Sequence, residues 1–195
     1  MNLKKIIVFV ITVIFCFCIT PVFAGIKISG DWFYVTDIGN NGDSKIIIDG
    51  KERGECKAYK EKVNGVDTDV HILAGYVTTK FAYGYLQMFL KPTPELVAKM
   101  KKAKGIKFKA MGDGKQYRFK LELSTVKDYN HFGKVITPPK GKYKEITIRF
   151  GELNQESWGQ TVSFDLTKLT QIAFQTVGQP LKSIMLKVCD FELIE

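Results

Sequence analysis

The feature of this 195-residue chain that most restricts its fold is an alternation of apolar and polar residues in short runs. Side chains of a strand point alternately to the two faces of its sheet, so each run predicts a strand with one buried and one solvated face. Only Pro94 to Lys104, which follows the capping residue Thr93, has the pattern of a helix. Many short strands with almost no helix predict an all-β fold of two antiparallel sheets, a sandwich or a barrel. The clearest runs are Ile106 to Ala110, Tyr117 to Leu123, Glu145 to Phe150 and Gln171 to Thr176.

The first 24 residues differ from the rest of the chain. Lys4 and Lys5 precede an apolar run from Ile6 to Ile19, and a Pro-Val-Phe-Ala segment ending at Ala24 follows. This order predicts a signal peptide that is cut near Ala24, and the run is too short for a typical membrane span. We expect residues 25–195 to form one exported domain, secreted or periplasmic, without stable membrane insertion. A signal anchor is the alternative.

The positive charge of the chain comes almost entirely from lysine. The formal net charge is +9, and the only arginines are Arg53, Arg118 and Arg149. The lysines alternate with apolar residues along predicted strands, which is typical of solvated sheet faces. A nucleic-acid interface would cluster its charge and include more arginine, so we predict no nucleic-acid partner.

Cysteine and histidine positions limit the metal and redox chemistry of the mature chain. Cys56 and Cys189 either form a disulfide or stay separate thiols, and their spacing leaves both open. His71 and His131 are the only histidines and neither has the spacing of a zinc ligand. We therefore predict no cofactor. A structural calcium site is the lesser alternative, with loose candidates at Asp31, Asp37, Asp43 and Asp190.

The sequence contains no recognisable catalytic motif. It has no Gly-x-Ser-x-Gly elbow and no plausible Ser/His/Asp set. Glycoside hydrolysis needs two facing carboxyl groups. No second carboxylate clearly shares the predicted sheet of Glu122, and the sequence leaves open whether Glu145 lies on it. We predict that the protein is not an enzyme, with neither catalytic nor metal-binding residues.

The stretch from Phe81 to Leu90 predicts a strand with two different faces. Leu86 and Met88 belong to the aliphatic face, while aromatic and amide side chains occupy the other. Sugar rings stack on aromatic side chains and their hydroxyls bind carboxylates, amides and arginine, so such a face suits a glycan. Tyrosines packed beneath a loop are the alternative. Two further predicted strands add polar residues, so the predicted ligand-binding set is Tyr83, Tyr85, Gln87, Arg118, Glu122 and Gln175.

Several segments, taken in order, resemble a known superfamily. KGIKFKAMGDGKQYRFKLELS, YKEITIRFGELNQESWGQ, LTQIAFQT and IMLKVCDFELI follow one another from Lys104 to Ile194. Together they resemble the galactose-binding-like β-sandwich superfamily, in particular family 11 carbohydrate-binding modules and the domain of the mitochondrial complex I intermediate-associated protein. The resemblance covers nearly the whole mature chain.

The resemblance implies a fold and two kinds of function. The fold is a jelly roll of two antiparallel sheets, one of them concave. The carbohydrate-binding modules hold a β-glucan on the concave face without catalysis, where Tyr83, Tyr85, Arg118 and Glu122 would lie. The complex I relatives are assembly factors, so the alternative is a protein-interaction or assembly role with an envelope protein as partner.

Overall fold

The computed structural model describes residues 26–195, and the predicted signal peptide lies outside that range. Strands dominate the described residues, with one short α-helix and three 3₁₀ turns. The helix α1 spans Pro94–Met100, and the 3₁₀ turns span Asp37–Asn40, Phe150–Glu152 and Leu166–Lys168. The strands are β1 (Trp32–Thr36), β2 (Lys45–Ile48), β3 (Lys51–Glu52), β4 (Tyr59–Val63), β5 (Val66–Val77), β6 (Leu86–Leu90), β7 (Gly105–Gly112), β8 (Tyr117–Leu123), β9 (Phe132–Ile136), β10 (Lys144–Arg149), β11 (Leu169–Thr176) and β12 (Leu181–Ile194).

The strands form two antiparallel sheets. The five-stranded sheet has the order β1-β6-β11-β8-β9, and the second sheet has the order β10-β7-β12-β5-β2-β3, with β4 also paired to β5. Each strand pairing is antiparallel, and the strand order requires the non-sequential connections of a jelly roll. The predicted all-β, two-sheet sandwich is confirmed.

Apolar side chains from the inner faces of both sheets meet in one core. On β6 this inner face carries Leu86, Met88 and Leu90, none more than 1% exposed. Phe119 and Phe174 of the five-stranded sheet pack on Phe108 of the second sheet, with ring centroids 5.9 and 5.1 Å away. Full burial of one such side chain stabilises the fold by about 1.5–3 kcal/mol. The alternation in the sequence therefore places every second residue of β6, β8 and β11 on an outer, solvent-side face.

The predicted strand from Phe81 to Leu90 is wrong in its first half. Strand β6 begins at Leu86, and the preceding residues form a turn in which the Gly84 amide donates to the Phe81 carbonyl over 3.1 Å. The backbone at Gly84 is packed so closely that an added Cβ would lie 2.6 Å from the side-chain oxygen of Gln179. The Gly84 backbone is thus packed within this turn without room for a side chain.

Helix α1 follows the predicted chemistry closely. Thr93 accepts a hydrogen bond from the Leu96 amide, Pro94 occupies the first turn, and Leu96 and Met100 are buried. The observed helix ends four residues before the predicted Lys104. Within residues 26–195, none of the helices has the length and apolar character needed to cross a membrane.

Candidate functional site

The outer face of the five-stranded sheet gathers most of the predicted site residues. Gln87, Gln175 and Arg118 are aligned on β6, β11 and β8, one residue from each strand. Strand alternation also places Glu122 on this face, opposite Gln171 of β11. The sheet order therefore brings together four of the six predicted residues, although they are up to 88 positions apart in sequence (Gln87 to Gln175).

Glu122 is the centre of a polar network on this outer face. Its carboxylate accepts hydrogen bonds from the Gln87 amide over 3.0 Å and from the Lys120 ammonium over 2.9 Å. The same Gln87 amide also donates to Gln171 over 3.3 Å. Gln87 is 6% exposed and Lys120 is 7% exposed, so this network forms a close-packed polar floor.

Lys120 is a buried cation that Glu122 compensates. Burial lowers the pKa of Lys120, and the adjacent Glu122 carboxylate opposes that change. The register pairs Lys120 with Ala173, a small residue that leaves room for the long side chains above it. The lysine, which the sequence-based site did not include, is therefore held rigidly rather than moving freely in solvent.

Arg118 lies flat across β9 because residue 133 is glycine. A Cβ on Gly133 would meet Arg118 Nε at 2.7 Å. The guanidinium forms an ion pair with Glu156 and donates to the backbone carbonyls of Asn154 and His131 over 3.2 and 3.4 Å. Arg118 thus joins the polar floor to the loop that carries Glu156.

The two predicted tyrosines occupy different positions. Tyr85 precedes β6 and continues its outward alternation with Gln87, and it is half-buried. Burial first, and then the charges of Asp37 and Glu122, raise the pKa of Tyr85. Tyr83 lies in the turn before β6, is 80% exposed, and makes an edge contact with Phe81 at 5.9 Å between ring centroids. The predicted pair on one strand is therefore a floor residue and a loop residue.

Comparison with known proteins shows the family. The profile of complex I intermediate-associated protein 30 (CIA30) matches residues 37–188. The match covers well over half of the chain. This chain belongs to the CIA30 family. The resemblance seen in the sequence motifs is confirmed.

Solved structures share the fold of this CIA30-family protein. The family 11 carbohydrate-binding module of a cellulosomal cellulase from Clostridium thermocellum superposes with a TM-score of 0.55 at 18% identity, over 85% of this chain and 88% of the module. The same family from Clostridium thermocellum, in complex with a β-1,3-1,4-mixed-linked tetrasaccharide, gives 0.50 at 19% identity over 86% and 97%. A family 30 carbohydrate-binding module gives 0.52 at 13% identity over 87% and 94%. At these identities the likeness concerns the fold.

One curated relative shares a short segment with the CIA30-family chain. Endoglucanase 3 of Fibrobacter succinogenes is 31% identical over 72 residues, which is 36% of this chain and 11% of that enzyme. The chain therefore matches only a small part of the length of this relative.

Two exposed aromatic residues beside the polar floor of the CIA30-family protein were missed by sequence reasoning. Tyr129 is 84% exposed and Trp158 is 50% exposed. Their loops interlock through Asn130, whose side chain donates to the Glu156 carbonyl over 3.0 Å and accepts from the Glu156 amide over 2.9 Å. The Trp158 indole donates to the Glu156 carboxylate over 2.6 Å. Trp158 stands out in the sequence within a polar segment, but its proximity to Arg118 depends on loop contacts that no local pattern encodes.

His131 closes the network beside Glu122. Its Nε2 lies 3.8 Å from the Glu122 carboxylate, and its Nδ1 is buried without a hydrogen-bond partner among residues 26–195. Burial lowers the pKa of His131 first, Glu122 opposes that change, and Lys120 adds to it. The imidazole is therefore favoured in its neutral form next to an already compensated carboxylate.

Three of the four calcium candidates have local partners instead of a common centre. The buried Asp37 carboxylate accepts from the Ser44 amide over 2.9 Å and hydroxyl over 2.6 Å, Asp43 bonds Thr78, and Asp190 pairs with Lys109 over 2.8 Å. Across residues 26–195, no three His, Cys, Asp or Glu side chains are grouped as a metal site would require. Calcium binding stays a prediction.

The two cysteines of the described chain are separate thiols. Cys56 is half-buried and Cys189 is buried. Burial raises the pKa of Cys56 to about 11 and that of Cys189 to about 12, which disfavours the reactive thiolate. Of the two alternatives that the spacing left open, the structure has the unbridged one.

Proposed function

We propose that this CIA30-family protein binds a glycan, without catalysis, on the outer face of its five-stranded sheet. The observation that carries the proposal is the ordered polar floor of Gln87, Lys120 and Glu122 with exposed aromatic rings in the loops beside it. Fixed donors and acceptors are suited to sugar hydroxyls, and exposed rings are suited to the apolar faces of pyranoses. A floor whose side chains are already held in place loses little conformational entropy on binding.

The proposed ligand is a poly- or oligosaccharide, with a β-glucan as the first candidate. A solved structure with the same fold is a complex with a β-1,3-1,4-mixed-linked tetrasaccharide, and the endoglucanase shares a segment with this chain. Tyr85 and Tyr83 would contact sugar rings, while Arg118, Gln87 and Gln175 would bind hydroxyls and Glu122 would accept from them. We extend to this chain the non-catalytic role of the binding modules because Glu122 and Glu156 are both bound to cations. A proton donor for a glycosidic oxygen would need a free carboxyl group.

Affinity electrophoresis in gels that contain soluble mixed-linked β-glucan, xyloglucan or laminarin tests the proposal. The protein should be retarded by at least one polysaccharide, and the double variant Tyr83→Ala, Tyr85→Ala should lose the retardation while its circular dichroism is unchanged. Tyr143→Phe is the matched control, since Tyr143 immediately precedes β10 of the second sheet and its hydroxyl donates to Glu61 of β4. A folded protein that runs at its normal mobility in every glycan gel would refute glycan binding.

A protein partner is the second candidate, favoured by the apolar end of the same outer face. Phe33 of β1 is 43% exposed and stacks on Phe89 of β6 at 5.4 Å, and the adjacent Val35 is 37% exposed. An exposed apolar cluster at a sheet edge suits an assembly role with an envelope protein. Affinity capture from the native envelope, with Phe33→Ser as the comparison, should recover one defined protein in the wild type alone.

Export is part of the proposal. The leader of residues 1–24 has the charge and apolar pattern of a signal peptide. N-terminal sequencing of the protein from its native source should begin near Gly25, and a start at Met1 would overturn export by cleavage.

A further inference from the structure

A second cleft lies at the open edge of the sandwich, away from the proposed glycan face. It encloses about 200 Å³ where β1 of the five-stranded sheet faces β2 and β3 of the second sheet. Tyr34 and Thr36 line it from β1, and they alternate with the outward-facing Phe33 and Val35. The cleft therefore opens on the opposite side of β1 from the glycan face.

Arg53 gives this cleft an unsatisfied donor. Its Nε is buried and has no hydrogen-bond partner within residues 26–195. An arginine Nε always carries a hydrogen, whereas the buried Nδ1 atoms of His71 and His131 can exist without one. Burying a donor without a partner costs the full desolvation of that group, so the described chain does not fully satisfy the hydrogen-bonding capacity of the Arg53 guanidinium.

The positive charge of Arg53 has no carboxylate partner among the charged residues that the structure describes around it. Lys45 and Glu52 form an ion pair of 2.8 Å at the mouth of the cleft. None of the ion pairs among residues 26–195 includes Arg53. A guanidinium is a planar fork that matches a carboxylate with two parallel hydrogen bonds.

The apolar walls of the cleft are suited to the carbon chain of a carboxylate ligand. Ile46 is buried and Ile38 is 53% exposed, and both line the cleft beside the Thr36 side chain. The volume is below the range of about 300–1,000 Å³ that drug-sized ligands occupy, and it suits a ligand of a few carbon atoms. We propose that this cleft binds a small monocarboxylate, with Arg53 holding the carboxylate and Ile38 and Ile46 contacting its short carbon chain.

The three arginines of the chain make a direct test possible. Arginine Nε–Hε NMR signals of the full chain should give three resolvable resonances, from Arg53, Arg118 and Arg149. Titration with sodium propionate should shift the Arg53 resonance in a saturable way and slow its hydrogen exchange, while sodium chloride at the same ionic strength should not. The exposed Arg149 is the internal reference for non-specific binding.

Two variants complete the test. Arg53→Gln should abolish the saturable propionate response of the Thr36 and Ile46 amides, and Arg149→Gln should leave it intact. Retardation by glycan should be unchanged in Arg53→Gln, so the failure of either proposal is separable from the other. The proposal is overturned if the shift of the Arg53 resonance does not saturate with propionate or is no larger than the shift of the Arg149 resonance. It is also overturned if the Arg53 resonance responds to inorganic phosphate but not to propionate. These outcomes are read from the wild-type spectrum and stand even where Arg53→Gln fails to fold.

Discussion

At the scale of single residues, the Lys120–Glu122 pair links stability to the proposed site. Removing one partner of a buried ion pair leaves the other charge uncompensated, at a cost of up to about 3–5 kcal/mol. Glu122→Gln should therefore lower the free energy of unfolding in urea, and Lys120→Met combined with Glu122→Gln should recover most of the loss. Asp69→Asn is the control, because Asp69 belongs to an exposed pair with Lys60 on the second sheet and should leave stability nearly unchanged. If the double variant were as unstable as the single one, the pair would not be the origin of the loss.

His71 makes the stability of the protein depend on pH. Burial lowers the pKa of His71 to about 4, against a model-peptide value of about 6.5. Above both values neither state binds the proton, so this contribution to stability is fully present at neutral pH. As the pH falls from about 6.5 to about 4, the unfolded state takes up a proton that the folded state refuses, and stability falls. The urea midpoint should decline across this window.

A variant separates His71 from the other titrating groups. The imidazole stacks on Trp32 with ring centroids 4.6 Å apart, and phenylalanine preserves such a stack. His71→Phe should therefore reduce the fall of the urea midpoint at acid pH. His131 should account for a further part of that fall, because burial lowers its pKa as well. The Hε1 NMR signals of the two histidines report both pKa values directly. A His71 pKa near 6.5 would contradict the prediction.

At the scale of strands and loops, Gly133 lets β9 lie beneath the Arg118 side chain. A Cβ there would also approach the Phe119 carbonyl at 2.7 Å, and a backbone atom cannot move aside as a flexible side chain would. Gly133→Ala should destabilise the protein by about 1–3 kcal/mol and weaken glycan retardation, since Arg118 would leave the floor. Gly151→Ala is the control, because nothing lies within 4 Å of its added Cβ. Equal thermal midpoints for the two variants would show that the close approach is unimportant.

Local sequence patterns predict strands well and connections poorly in this protein. Alternation alone placed Gln87, Arg118, Glu122 and Gln175 on outward-facing positions, and the register confirms that arrangement. The Phe81–Tyr85 turn contains three aromatic residues that favour strands, together with Ala82 and Gly84, which do not, and Gly84 packs against Gln179, which is 95 positions away. Contacts of that range are set by the fold as a whole and leave no local pattern.

The same limit explains the residues that were missed at the site. Lys120 has the alternation of an ordinary solvated lysine, and its burial results from neighbours on other strands and loops. Tyr129 and Trp158 lie in loops that are joined by Asn130, and side-chain bonds between two loops cannot be read from the composition of either. The sheet framework was therefore predictable from periodicity, whereas the loops beside the site were not.

At the scale of the whole molecule, the net positive charge and the proposed site predict different responses to salt. The formal charge of +9 favours weak binding to any polyanion, and such binding is screened beyond a Debye length of about 10 Å at 0.1 M salt. The cations of the glycan face are different, because Lys120 and Arg118 already pair with Glu122 and Glu156.

Retardation by a neutral β-glucan should therefore be nearly constant between about 0.02 and 0.5 M sodium chloride, while binding to heparin beads should disappear over the same range. Lys144 of β10 on the second sheet offers the control, because it is exposed and takes part in none of the ion pairs among residues 26–195, so Lys144→Gln should weaken heparin binding alone. Glycan retardation that falls with salt in parallel with heparin binding would mean that the excess lysines, and not the polar floor, hold the ligand.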